Sequence, residues 1–310
     1  MRSYQGHVRE NAYLGLQNRM ICDHLKKMIM KVRRYADYKM TSNIGAVIEG
    51  VDLGQTLYAS QEDMIYEALI DNSVIFFRDQ NIAPEQHLAF ARSFGEIDKP
   101  HPVYQHVPGF DNIVTLANDA NNPPDTDGWH TDLTFRQDPP FASILVARDV
   151  PAYGGDTMWA SMCAAYDALP ASLQAYFTDL KAVHDMGDFR NNFTIGEDTG
   201  DKLNAGMQRF GSAIHPIVKT HPVSGRKFLY VNEGFTSHII GMTARESRRW
   251  LNFLLDHINR PEYQVRFRWQ AGSVAMWDNR STQHYAVADY MPAYRCMNRI
   301  TVVKDRRTNS

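Results

Sequence analysis

The sequence is poor in cysteine and nearly balanced in charge. Its 310 residues hold three cysteines, Cys22, Cys163 and Cys296, with no CxxC pair and no zinc-type spacing. A disulfide framework or a structural zinc site is thereby excluded, and free, mostly buried thiols in a reducing, cytoplasmic compartment are expected. The formal net charge of −2 leaves neither nucleic acid nor an anionic membrane as a main partner. No run of about 18 apolar residues occurs, so no membrane span is expected. There is no Gly-rich phosphate loop of the Walker or dinucleotide type. Internal repeats, low-complexity tracts and Gly/Ser/Pro linkers are also missing.

What remains is an ordinary globular composition, 44% apolar, able to bury a sizeable core. Residues 1–30 mix polar side chains with Lys26 and Lys27 and lack a secretory apolar stretch. They are expected to be a disordered N-terminal extension or the product of an early start, with Met20, Met28, Met30 and Met40 as alternative starts. Residues 31–310 are expected to form one domain. Ser60 to Asp63 predicts a capping box opening a helix to about Asp71, and Pro84 to Phe94 predicts a second helix stopped by Gly95. Thr243 to Glu246 opens an amphipathic helix to about Asn259, and Ser161 to Leu180 reads as helical with a break near Pro170. Strands are predicted at Gly45 to Leu53, Ser73 to Phe77, Asn112 to Leu116, Gly128 to Phe135, Ala142 to Asp149, Tyr263 to Trp269, Val274 to Trp277 and Cys296 to Val303. His221 to Gly225 reads as a hairpin turn, and Asp185 to Ser212 as a surface loop or lid. Many short strands with a few peripheral helices imply a mainly β fold, a double-stranded β-helix or jelly roll. Helices and strands do not alternate as a parallel α/β sheet requires.

Most of the twelve histidines have no special context, but two do. His130-Thr131-Asp132 lies in strand-like sequence after a polar loop, and in a strand residues two apart project from one face. His284 follows the predicted strand ending at Trp277. Two imidazoles and one carboxylate leave coordination positions open, the pattern of non-haem iron(II) oxygenases. Eleven residues beyond His284 stands Arg295. A dicarboxylate that chelates the ion at one end needs a cation for its far end, and the planar guanidinium pairs with carboxylate in bidentate fashion.

In Pro123-Pro124-Asp125 through Asp132, in Gly154-Gly155-Asp156-Thr157, in His221 to Phe235 and in Trp277-Asp278-Asn279-Arg280 through Ala286, the sequence resembles the TauD/TfdA family of Fe(II)/2-oxoglutarate-dependent dioxygenases. The likeness runs from about Gly45 to Val303. It implies that His130, Asp132 and His284 hold iron(II), and that Arg295 and Thr157 bind the distal carboxylate of 2-oxoglutarate. It also implies that O2 is used to hydroxylate a small-molecule substrate, taurine or a related alkylsulfonate, releasing sulfite and an aldehyde. His101 and Arg299 would clamp the sulfonate, with Arg295 and Arg299 four apart on one strand face. Tyr104, Asp125, Thr126, Leu133 and Phe235 would line the substrate pocket, with Thr126 and Leu133 departing from the family's Asn and Val. Phe189 and Phe193 are candidates for an aromatic wall. A homo-oligomer, dimer or tetramer, is expected on the same ground. The alternatives are the same chemistry on a sulfate ester, sulfinate or aryloxyalkanoate, and a non-catalytic jelly-roll metal-binding protein. Halogenase chemistry is disfavoured because it needs the carboxylate ligand removed.

Overall fold

The strand predicted at Ala142 to Asp149 has those bounds, but its first six side chains are all buried, because the sheet that contains it is covered on both sides. A computed structural model describes residues 37–101, 104–124, 128–186 and 211–308. In chain order the strands are β1 Asp37–Lys39, β2 Ala46–Ile48, β3 Val74–Phe77, β4 Gly95–Ile97, β5 His106–Val107, β6 Phe110–Asn118, β7 Ala142–Asp149, β8 Thr157–Ser161 and β9 Lys181–His184. They continue as β10 Ala213–Pro216, β11 Val218–Thr220, β12 Lys227–Leu229, β13 Thr236–Ile239, β14 Gln264–Phe267, β15 Val274–Asp278, β16 Thr282–Ala286 and β17 Arg295–Asp305. The α-helices are α1 Ala59–Asn72, α2 Pro84–Arg92, α3 Met162–Asp167, α4 Ala171–Thr178 and α5 Ala244–Ile258.

The main sheet runs β1-β2-β3-β15-β7-β17-β6-β5, with β4 also paired to β17. Only β2 and β3 pair in parallel; the other recorded pairings in this sheet are antiparallel. A second sheet, β14-β8-β16, faces it. Between them lies an aromatic layer. Phe76 stacks on Phe267 at 4.0 Å, and Trp159 meets Phe76 at 5.3 Å and Trp277 at 5.7 Å in edge contacts. The opposite face of the main sheet packs Ile75, Phe77, Ile144, Met276 and Ile300 against Ile65, Leu69, Phe90 and Phe94 of the α1 and α2 region. Each such side chain contributes on the order of 1.5–3 kcal/mol by burial. This is the jelly-roll architecture read from the strand pattern.

Several boundaries differ from expectation. Helix α1 starts at Ala59, and the Gln61 side chain accepts the Tyr58 backbone N–H at 2.9 Å, so Ser60 is inside the helix and does not cap it. Helix α5 opens where predicted, and does so with a capping box in which Glu246 Oε2 accepts from Thr243 N at 3.0 Å. The Gly45 to Leu53 strand shrinks to Ala46–Ile48. The strand predicted at Gly128 to Phe135 is reduced to one isolated bridge at His130, after which the chain turns. The N-terminal extension lies outside the described residues, as does most of the Asp185 to Ser212 segment with Phe189 and Phe193. No helix among the described residues is long and apolar enough to cross a membrane.

The connection from β15 to β16 is anchored by buried charge. Asp278 accepts from Arg280 Nε at 2.9 Å and stands 3.0 Å from His221 Nε2, while Arg280 Nη1 reaches Asp305 at 3.0 Å. Burial alone would raise the Asp278 carboxyl; Arg280 and His221 outweigh it and hold it far below the usual carboxylate range.

Two other buried histidines make folding pH-dependent. His87 is pushed down to about 3 by burial and then by Arg148, and His184 to about 3 by burial and then by His215 and Lys219. The folded chain takes up these protons only near pH 3, whereas the unfolded chain does so from about 6.5. The unfolded state therefore binds more protons between these values, and stability falls as pH drops from about 6.5 towards 3. Each histidine adds at most about 1.4 kcal/mol per pH unit to that slope. Urea unfolding of His87→Leu across this window should give a slope shallower by up to one proton; a slope equal to that of the parent would refute the assignment.

Candidate active site

His284 sits on β16, a strand the sequence pattern did not reveal. His130 forms an isolated bridge with it, His284 N donating to His130 O at 2.8 Å and His130 N to His284 O at 3.1 Å. This pairing brings the two rings to 4.1 Å between centroids. His130 Nδ1 lies 2.9 Å from Gly128 O. Donation there fixes the tautomer and leaves the Nε2 lone pair for a ligand. The face of His284 is set by Trp277, 4.9 Å away, so the aromatic layer between the sheets ends on this imidazole.

Asp132 approaches by a turn, and this replaces the geometry expected from the sequence. Leu133 takes a left-handed φ of 56°, and Asp132 lies in that turn outside any strand. The carboxylate Oδ1 stands 3.7 Å from Nε2 of both His130 and His284. The donor atoms of the three residues all lie within 4.8 Å of one another, and all three residues are buried. His284 is pushed down to about 3, first by burial and then by His130, so it is neutral at neutral pH. Burial alone would raise the Asp132 carboxyl, but Arg299 first, and then the Ser143 hydrogen bond, outweigh it and keep it ionised. An ionised carboxylate with two imidazoles is a donor set that fits one divalent ion with open positions.

The same cavity is lined by Thr157, Arg295, Arg299, His101, Tyr104 and Leu133. Arg295 is buried; its Nε donates to Gly155 O at 3.1 Å and its Nη2 to Thr157 Oγ1 at 3.4 Å. Thr157 Oγ1 also accepts from Trp269 Nε1 at 2.9 Å. With its oxygen accepting twice, the hydroxyl proton is left to donate elsewhere. Gly155 has φ 68°, and a Cβ there would meet Arg295 Cδ at 3.2 Å, so this approach needs glycine.

Arg299 Nη1 lies 3.4 Å from Asp132 Oδ1. Its Nε is buried with no hydrogen-bond partner among the described residues. His101 accepts from Tyr104 N at 3.3 Å and is pushed down to about 3, by burial first and then by Arg299. Phe235 turns its edge to His130 at 6.2 Å. Ten of the twelve expected site residues thus converge on one cavity; Asp125 and Thr126 lie outside the described residues. Sequence reasoning missed Leu116, Leu145, Trp277 and Ala286 on its wall, and the two residues that hold Asp132, Ser143 and Asn279. Asn279 stands within a motif noted in the sequence, so a signal for it was present; Ser143 carried none.

The profile described as "Taurine catabolism dioxygenase TauD, TfdA family" matches residues 36–301. The chain is 38% identical over 274 residues to the alpha-ketoglutarate-dependent sulfate ester dioxygenase of Pseudomonas putida, covering 86% of this chain and 88% of that protein. It is 35% identical over 281 residues to the alkylsulfatase of Acinetobacter baylyi, covering 88% and 86%. A solved taurine dioxygenase from Burkholderia xenovorans superposes with a TM-score of 0.75 at 38% identity, over 87% of this chain and 89% of that one.

If the three residues share one ion, Asp132→Ala should lose Mn(II) affinity by more than the roughly 10–100-fold that outer partners of a ligand cost. A titration following free Mn(II) measures this, and an affinity equal to that of the parent would remove Asp132 from the ligand set.

Proposed function

The chain belongs to the taurine catabolism dioxygenase TauD, TfdA family, and on that premise we propose that this 2-oxoglutarate-dependent dioxygenase hydroxylates the carbon bearing a sulfate or sulfonate group in a small aliphatic substrate. A sulfate ester would yield sulfate and an aldehyde; a sulfonate, sulfite and an aldehyde. The observation that carries this reading is the pair of arginines on one face of β17, Arg295 and Arg299, both lining the cavity that holds His130, Asp132 and His284. Two separate cations suit two separate anions: a dicarboxylate cosubstrate and an oxyanion head group.

His130, Asp132 and His284 are the residues that would hold iron(II), which when bound supplies O2 activation. Arg295 and Thr157 bind the far carboxylate of 2-oxoglutarate, the guanidinium held by Gly155 O so that it loses little freedom on pairing. Arg299 and His101 take the sulfur oxyanion. A sulfate or sulfonate presents three acceptor oxygens, which suits a guanidinium plus an imidazole. Leu116, Leu133 and Phe235 enclose the apolar part and keep water from the reacting carbon. Among the described lining residues the one carboxylate is Asp132. Thr126, where the family has Asn, offers no carboxamide to an ammonium group, which favours alkyl sulfates and simple alkylsulfonates over taurine. The chain is read as one domain over residues 31–310, cytoplasmic and homo-oligomeric.

Two measurements test this. With 2-oxoglutarate, iron(II) and O2, short alkyl sulfates and alkylsulfonates should drive succinate formation with matching release of sulfate or sulfite, and taurine should do so more weakly. Turnover confined to carboxylate-headed substrates such as aryloxyalkanoates would overturn the sulfur-oxyanion reading and leave the dioxygenase intact.

The second measurement separates the arginines. Removing one member of a buried charged pair costs about 3–5 kcal/mol, roughly two to four orders of magnitude in affinity. Arg295→Ala should therefore weaken 2-oxoglutarate strongly and the substrate little, and Arg299→Ala should do the reverse. Equal losses of both ligands in both variants would remove the division of labour.

A further inference from the structure

A metal carboxylate must be fixed in two respects, the path of its backbone and the choice of which oxygen faces the ion. Asp132 is exposed to error in both. It lies in a turn, next to a residue with left-handed φ, and outside any strand ladder. Yet it is 6% exposed and its Oδ1 is equidistant, at 3.7 Å, from the two imidazole Nε2 atoms. Such a position needs a cause.

Asn279, fully buried in the turn that follows β15, supplies the first part. Its Oδ1 accepts from Asp132 N at 2.9 Å, and its Nδ2 donates to Asp132 O at 3.0 Å. The carboxamide thus pairs with both backbone groups of Asp132, as a neighbouring strand would. The same Nδ2 donates to Pro140 O at 3.1 Å, and Asn279 N donates to Phe141 O at 2.8 Å. One residue therefore closes the segment from Asp132 to Phe141 at both ends. The Asp278–Arg280 ion pair on either side of it keeps the turn in place.

Ser143, fully buried on β7, supplies the second part. Its Oγ donates to Asp132 Oδ2 at 2.9 Å. With Oδ2 engaged, the other oxygen is the one turned to His130, His284 and Arg299. We infer that Asn279 and Ser143 are positioning residues of the metal centre: Asn279 fixes the backbone of Asp132, and Ser143 occupies Oδ2 so that Oδ1 alone is offered to the ion. Neither residue is among those that line the cavity. This inference rests on the reading of His130, Asp132 and His284 as metal ligands.

The test is Mn(II) titration of the full chain, with three accompanying readouts: 2-oxoglutarate affinity at saturating Mn(II), thermal unfolding of the metal-free protein, and Asp132→Ala as reference. Ser143→Ala and Asn279→Ala should each weaken Mn(II) by about 10–100-fold. At saturating Mn(II), 2-oxoglutarate affinity should stay within about two-fold of the parent, since Arg295 and Thr157 are untouched. Metal-free Ser143→Ala should still fold and melt a few degrees below the parent, as the loss of one hydrogen bond to a buried carboxylate requires, and Ser143→Thr, which keeps the hydroxyl, should recover most of the Mn(II) affinity. If Asn279→Ala does not fold, the serine pair of variants decides the matter. Mn(II) affinity unchanged in Ser143→Ala while Asp132→Ala loses it would overturn the inference and spare the ligand assignment. Unchanged affinity in Asp132→Ala as well would overturn the ligand assignment itself.

Discussion

The centre of this molecule is organised around one buried anion. Asp132 carries its charge inside the fold, where an uncompensated carboxylate costs several kcal/mol or takes up a proton. The protein avoids both outcomes with a ring of donors: Ser143 on one oxygen, Arg299 near the other, and the Asn279 carboxamide along the backbone. Burial holds the His284 imidazole neutral, and the Nε2 atoms of both rings stand 3.7 Å from the same oxygen, where one ion could take all three donors. Much of the surrounding structure can be read as what is needed to keep that arrangement. The bridge between His130 and His284 sets the spacing of the rings, and the Trp277 indole sets the face of one of them.

The scaffold explains why such a polar site is tolerated inside an aromatic core. Phe76, Phe267, Trp159 and Trp277 fill the space between the sheets, so the site is bounded on one side by rigid, closely packed rings. On the other side β17 contributes two guanidiniums from one face, Arg295 and Arg299, with buried Met297 between them. Strand geometry separates such positions by about 13 Å at 3.3 Å per residue. The strand thus fixes where the two side chains start, and their partners fix where the guanidiniums end. Each is steadied differently: Arg295 by Gly155 O and Thr157, Arg299 by the metal carboxylate itself.

The difference between what the sequence disclosed and what it hid follows from the range of the interactions. The jelly roll was legible because strand patterning and turn residues are local: β7, α5 and the hairpin at His221 stand where predicted. β16 was hidden because Thr282-Gln283-His284 is polar and buried at once, against the usual alternation. The ligand types are legible from His-x-Asp with a distal His and Arg, but the backbone path that joins them is not. Residues His130 and Asp132 converge through a turn and a left-handed Leu133, whereas a continuous strand face had been expected. Ser143 could not be seen at all, since its one relevant contact is with a residue on a different element. A spacing of two can arise from several backbone paths that deliver the same donors. Which path the chain takes is decided by partners far away in sequence, here Asn279, 147 positions from Asp132. Chemistry-bearing residues are therefore readable from a short window, because the donor set is constrained by the ion. The means by which they are aimed is not readable there, because it is constrained by the fold.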